Sequence, residues 1–497
     1  MTHSAVHQIL LYLTRSTNGI EPGLKKYFQL FGSCHWVLLF LFILESHLTI
    51  VGQPADPCGC SSFTNIGTIN TVTNLGSQTL TGCVRIMGTL AITQTTTWDS
   101  LRIRMTEGSE IRVDAELSIT NSFLSGCGQM WRGIRVTPAG QLDIESNIIK
   151  DAEFGVLLEN NTTFRCQYNQ FRENFVGIAV GRPYEAPQPG ITIFSNDVVL
   201  GNHFTCTGPL PDPYPGQFYD PAWPAVVDIP YNRTFAAVYL AGATGLNIGA
   251  YGLTGNERNV VDSARNGFIM INSSAHIAGN TITTLLGSIS RAPEVPSKNQ
   301  YGVFAYQSVV IADDNSFSGV KTGIVADECD FQAHRNTIVI NPQLSSVART
   351  VGIETTLPTR CSILNNVIDD ASIGIHLYYG SVAFDISRNT ITTDFEDEGS
   401  KGILVNVWKS PNLLMDRNTI TLDSQVRSDG IKLMFTGLME VSNNTIRIFN
   451  DNSDGESNTG ISMEEFHTSE VSRNHILGSL IDMLTDNAGL RMNVTGI

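Results

Sequence analysis

Four side chains in the second half of the chain, Glu354, His376, Tyr378 and Lys432, are of types that move protons. A histidine or lysine takes a proton, a tyrosine gives one to a leaving oxygen, and a glutamate orients the histidine. That set suits β-elimination or hydrolysis of an acidic or neutral glycan. Paired acids would instead drive glycoside hydrolysis. Asp327 and Asn406 supply polar ligand-binding groups nearby. Between Asn202 and Ala237 lie Tyr214, Phe218, Tyr219 and Trp223, whose rings can stack on sugars. The plainer alternative is that this loop covers apolar residues of the chain itself. Asp394, Asp397, Asp423 and Asp429 fall on successive loops and form an oxygen-rich set of the kind that holds calcium, although solvated acidic loops are the plainer reading. None of this chemistry requires a cofactor.

Residues this far apart meet only if the chain repeats, and it does. A Gly before an aliphatic or aromatic residue recurs at Gly133, Gly155, Gly177, Gly267, Gly302, Gly323, Gly352, Gly374, Gly402, Gly430, Gly460 and Gly489, with Ala237-Val238 filling one gap. An Asn before a short apolar pair, typically N-T-I, alternates with it from Asn147 to Asn474. The Gly-to-Asn spacing is nearly constant, while insertions concentrate between Asn and the next Gly. A repeat with one constant half and loops emerging on one side is a solenoid.

The expected fold is all-β: a right-handed parallel β-helix of about 13 coils, three short strands per coil, built from residues 80–497 with excursions near 182–196 and 203–236. G-I-x-V is a strand with its aliphatics inward. The Asn closes a later turn, with a left-handed backbone, and its amide bonds neighbouring coils. The residue after each inward aliphatic then faces out. This places Arg135, Leu157, Ala179, Tyr239, Ile269, Phe304, Val325, Glu354, His376, Leu404, Lys432 and Ser462 in one outer column. Tyr306, Asp327, Thr356, Tyr378 and Asn406 fall in a second. The middle of the first column is apolar, and the later coils carry the charged candidates.

Composition agrees. Charged residues are 16%, and Gly and small polar residues abound, which suits strands and turns rather than helices. The net charge of −16 argues against nucleic acid as partner. Lys25 and Lys26 precede an apolar run, Trp36 to Leu44, that Glu45 and His47 interrupt. The run is too broken for a stable transmembrane span and reads as a secretory leader over 1–52, followed by a linker or cap over 53–79. A secreted or cell-surface monomer is the expectation. Of nine cysteines, Cys34 lies in the leader. The other eight permit disulfides or buried core thiols, with the pairing open.

The G-I-x-V and I-x-x-N-x-I marks resemble the repeats of pectin-lyase-like right-handed parallel β-helices. The stretch Ser109 to Lys150, with M-W-R-G-I-R-V, is similar to secreted Bacteroidetes β-helix proteins. That resemblance implies the fold and a substrate cleft along the first strand column. It also implies a C-terminal sorting domain, and the stop at Ile497 inside a coil predicts a fragment. It does not imply one activity, because the fold hosts lyases, hydrolases, adhesins and structural fibres. The glycoside hydrolase family 28 marks N-T-D, D-D, G-H-G and R-I-K are missing as a set, with Asp369-Asp370 and Ser428-Asp429-Gly430 as isolated echoes. The expected function is an exported, non-catalytic adhesin or glycan-binding scaffold with a polysaccharide partner. A polysaccharide lyase or glycoside hydrolase is the alternative.

Overall fold

The computed structural model describes residues 55–494 apart from breaks at 76–79, 195–198, 216, 221–224, 229–231, 284–300, 341–348, 381, 396–399, 408–411, 425–427, 435–437, 450–458, 465–467, 478–479 and 484–489. The proposed leader lies outside the described residues. Among those described, regular structure is strand, with two short 3-10 turns. Among the described residues no helix is long and apolar enough to cross a membrane.

The strands form the expected right-handed parallel β-helix. Sixteen parallel strands stack in the sheet that carries the glycines. The second and third strands of each coil merge into one sheet of thirty. One coil reads Thr322–Asp327, Asp330–His334, Thr337–Ile340, and the next begins at Val351–Thr356. Ile324 and Ala326 point inward and are fully buried, as are Phe331, Ala333, Ile338 and Ile340. A single coil has no partner for these side chains, so stacking creates the core. Three strands, Val72–Asn74, Thr89–Ile92 and Glu110–Val113, extend the glycine sheet ahead of Gly133 without a glycine mark.

The two sequence marks meet inside this core. A Cβ on Gly374 would lie 2.4 Å from Cγ2 of Ile391 and 2.7 Å from the Gly402 carbonyl oxygen. Ile391 is the isoleucine of N-T-I in the same coil. Gly352, Gly402 and Gly430 meet Ile368, Ile420 and Ile446 in the same way. Glycine recurs because a large third-strand side chain and the next coil both occupy the Cβ position.

The asparagines form an unbroken ladder from Asn147 to Asn474. Asn336 Nδ2 donates to Asn366 Oδ1 at 2.9 Å and to the Ala312 carbonyl at 2.9 Å, while its backbone N–H also donates to Asn366 Oδ1. The left-handed residue, however, is the one before the Asn. Arg335, Asn365, Arg388 and Arg417 have φ of 55°, 57°, 60° and 56°. Their own N–H groups thereby keep donating to the following coil, as from Arg335 to Leu364 at 3.0 Å. The Asn supplies the polar groups that the turned backbone no longer offers to the interior.

The cysteines divide between the two expected states. Cys58–Cys127 and Cys60–Cys83 are disulfides that tie residues 58–60 to the first coils. Closing the longer loop, of 69 residues, stabilises by on the order of 4 kcal/mol in a chain-entropy account. Cys166, Cys206, Cys329 and Cys361 are buried free thiols.

Candidate functional site

The outer face of the glycine sheet has two halves. Its register is the one expected: Phe304, Val325, Glu354, His376, Leu404 and Lys432 are successive partners. So are Tyr306, Asp327, Thr356, Tyr378 and Asn406. Parallel pairing with a fixed inward alternation leaves no other register.

In the first half, Leu157, Ala179, Tyr239 and Ile269 are buried although they face outward. They join Phe154, Phe175, Leu210 and Phe235 in a second apolar cluster outside the barrel of strands. Tyr214 packs edge-on against Phe175, with ring centroids 5.5 Å apart, and Phe235 stacks on it at 5.7 Å. Tyr214 is therefore partly buried against this cluster, the covering arrangement that was the plainer alternative for this loop, since an apolar strip of this size needs shielding from water. Phe218 and Tyr219 lie on a two-stranded antiparallel hairpin, Gln217–Asp220 with Ala225–Asp228. Their side chains, and Trp223 altogether, lie outside the described residues.

Beyond Ile269 a groove of about 330 Å³ opens among the described residues. Tyr301 and Phe304 stack at 5.3 Å at one end. Lys321 and Arg349 stand on the edge where the insertions enter, and Asp327, Glu354 and Thr356 line the remainder. Two carboxyl groups here are pushed in opposite directions. Burial raises Asp327, and the charges of Glu328 and Glu354 add to this. Burial also works to raise Glu354. His376 and the Arg349 guanidinium outweigh it, so this carboxyl titrates below the ordinary glutamate value.

His376 is buried, with its side chain only 3% exposed. Its Nδ1 meets Nη2 of Arg349 and lies 3.5 Å from Oε1 of Glu354. Nδ1 thus faces both a guanidinium and a carboxylate. The imidazole thus lies buried beside the groove. The side chain expected to act as a base therefore stands in an outward position without being exposed, because Arg349 lies against it. Tyr378 packs on His376 with centroids 5.3 Å apart. Lys432 stands two rungs beyond, with Leu404 between, roughly 10 Å away at the usual strand spacing. The four expected catalytic residues are therefore not one cluster. Glu354, His376 and Tyr378 adjoin, Lys432 does not, and Asp327 joins Glu354 instead. Asn406 pairs with Tyr378 one coil past the groove.

The expected calcium set also divides. Asp394 and Asp423 are register partners in the third-strand column, whereas Asp429 is buried at the start of a glycine-sheet strand. The Asp394 side chain and all of Asp397 lie outside the described residues. Among those described, the three ligand-type side chains that converge are Asp56, Cys58 and Cys127. The disulfide between the two cysteines removes them as thiolate ligands.

Sequence reasoning missed Lys321, Arg349 and Tyr301. All three precede or begin a strand, Tyr301 and Arg349 at the ends of insertions and Lys321 in the one-residue link after Ser316–Val320, where the alternation rule assigns no direction. The signal was available: each lies one to three residues before a Gly mark.

Comparison with known proteins adds to the fold. No curated protein matches the chain. A solved Yersinia enterocolitica family 28 exopolygalacturonase is similar at 9% identity and a TM-score of 0.31, over 86% of this chain and 77% of that one. Residues 238–420, which carry the open groove, match the family described as right handed beta helix region, in keeping with the parallel β-helix that the strands build.

Proposed function

We propose that this chain is an exported β-helical scaffold whose open groove binds an acidic glycan without turning it over. The observation that carries the reading is the placement of Lys321 and Arg349 beside the Tyr301–Phe304 aromatic pair in one groove of a protein with net charge −16. Aromatic faces take the apolar side of a sugar ring, and two cations take its carboxylate. Two disulfides in the N-terminal coils and the leader support folding outside the reducing cytoplasm.

A second reading, glycoside hydrolysis, has its own support in Asp327 and Glu354. A raised acid beside a lowered one is the division of labour that hydrolysis uses. Asp327 would pass its proton to the glycosidic oxygen as the C–O bond breaks, and Glu354 would take a proton from the attacking water. A lyase reading has less support, since the expected base His376 is buried.

Affinity electrophoresis in gels carrying polygalacturonate or neutral galactan tests both readings. Retardation by polygalacturonate alone is expected, and it is lost in the Lys321→Ala/Arg349→Ala variant. No retardation by the acidic polymer would sink the proposal. New reducing ends, abolished by Asp327→Asn, would replace it with hydrolysis.

A further inference from the structure

Across the sheet from Lys321 and Arg349, the chain leaves each glycine-sheet strand through a turn. Its first residue is left-handed on five coils: Asn272, Gln307, Glu328, Leu357 and Tyr379 have φ of 49°, 48°, 54°, 46° and 47°. The cause is the same as at the ladder corner. Each N–H is thereby aimed at the next coil, as from Leu357 to the Tyr379 carbonyl at 2.8 Å and from Tyr379 to the Asn406 carbonyl at 2.8 Å. Three of the five residues are polar, as such a backbone favours. The other two are bulky, and Leu357 also precedes Pro358, a position that disfavours this region further.

Those two strained residues sit on adjacent coils, and both are among the exposed large hydrophobic side chains. Leu357 is 47% exposed and Tyr379 is 45% exposed. The Tyr379 ring is fixed edge-on against Tyr378, 4.2 Å between centroids, with its hydroxyl donating to the Tyr378 hydroxyl at 3.4 Å. Tyr378 in turn rests on His376 and is the register partner of Thr356, which lines the groove. Strain and exposed apolar surface, placed together at the end of a groove, leave room for an occupant that the described residues do not provide.

We infer that Leu357, Tyr378 and Tyr379 form a stacking subsite for a pyranose ring, extending the groove by one sugar beyond Thr356. The subsite rests on the reading of the groove as glycan-binding and adds a length requirement to it. An apolar platform takes the C–H face of a sugar irrespective of its charge. The shelf therefore selects for chain length, whereas Lys321 and Arg349 select for carboxylate.

The test uses the full chain and galacturonic acid oligomers of three and six residues, with titration calorimetry and thermal unfolding. In Leu357→Asn/Tyr379→Asn, asparagine suits the left-handed backbone, so the unfolding temperature is expected to hold or rise. The variant binds the hexamer roughly tenfold more weakly than wild type, the scale of one aromatic contact, and binds the trimer unchanged. Lys321→Ala/Arg349→Ala weakens both oligomers. Equal hexamer binding by wild type and the shelf variant overturns the subsite and leaves the groove standing. Failure of wild type to bind either oligomer overturns both. If the shelf variant is destabilised, Tyr379→Phe serves in its place: it keeps the ring, and hexamer binding at wild-type strength is then expected, while a tenfold loss would overturn stacking.

Discussion

One outer column runs through both halves of the glycine sheet, and the halves treat it in opposite ways. From Leu157 to Ile269 it is apolar and buried under the chain's own excursions. From Phe304 onward it mixes rings, cations and carboxyls and opens into a groove. The backbone is the same in both, a parallel ladder with one register. What differs is the occupant. A β-helix face with apolar outer residues must be covered by something, and the first half is covered intramolecularly. The second half keeps charge at its rim, so water can fill it until a ligand displaces that water. The segments between Asn and Gly therefore serve two ends, a cover in one half and, through Arg349 after an excursion and Lys321 in a short link, the cationic rim of the groove in the other.

The largest effect should come from breaking the cover. Phe175 is fully buried and holds both Tyr214 and Phe235. Phe175→Ala is expected to cost about 3–5 kcal/mol, as large aromatic truncations in a core do. Urea unfolding would measure it, with limited proteolysis opening residues 203–236 first. Phe304→Ala, half-buried in the groove, should cost clearly less stability while weakening glycan retention. Equal losses at the two positions would mean that the halves do not differ in the way described.

A smaller effect concerns acid. Glu354 titrates below its ordinary value of 4.5, so its contribution is fully present above that value and is lost as pH falls through the folded pKa. Asp327 has the opposite sign. Its raised pKa means that its ionisation opposes folding above that pKa and ceases to do so in acid. Wild type should therefore lose thermal stability more steeply below pH 4.5 than Glu354→Gln does. Asp327→Asn should be somewhat more stable than wild type near neutrality. Superimposable pH profiles would show that these carboxyls do not feel the groove.

Most of the architecture was legible because it is written in periodic residues. Gly374 and Ile391 mark the same crowded point in the core, and Asn366 to Asn389 is one rung of a ladder whose members are 21 to 57 residues apart. The two outer columns also followed from alternation alone, since a parallel pair that slips by one residue would turn its core outward. Burial of outer positions was not legible in this way. His376 is outward and yet covered, because Arg349 arrives from an insertion whose path no repeat specifies. The left-handed residue was placed one position late for a related reason. Asparagine is the familiar left-handed residue, but here Arg335 or Arg388 takes the strain and the Asn side chain takes the hydrogen bonds. The disulfides joined cysteines that sequence could only count.

The most direct test of the division between the two halves is hydrogen exchange by mass spectrometry with and without polygalacturonate. The account predicts slowed exchange in peptides covering 301–306, 321–327 and 349–356, and no change across 154–158, 176–180 and 236–241. Protection confined to the covered half, or protection that survives in Lys321→Ala/Arg349→Ala, would contradict it.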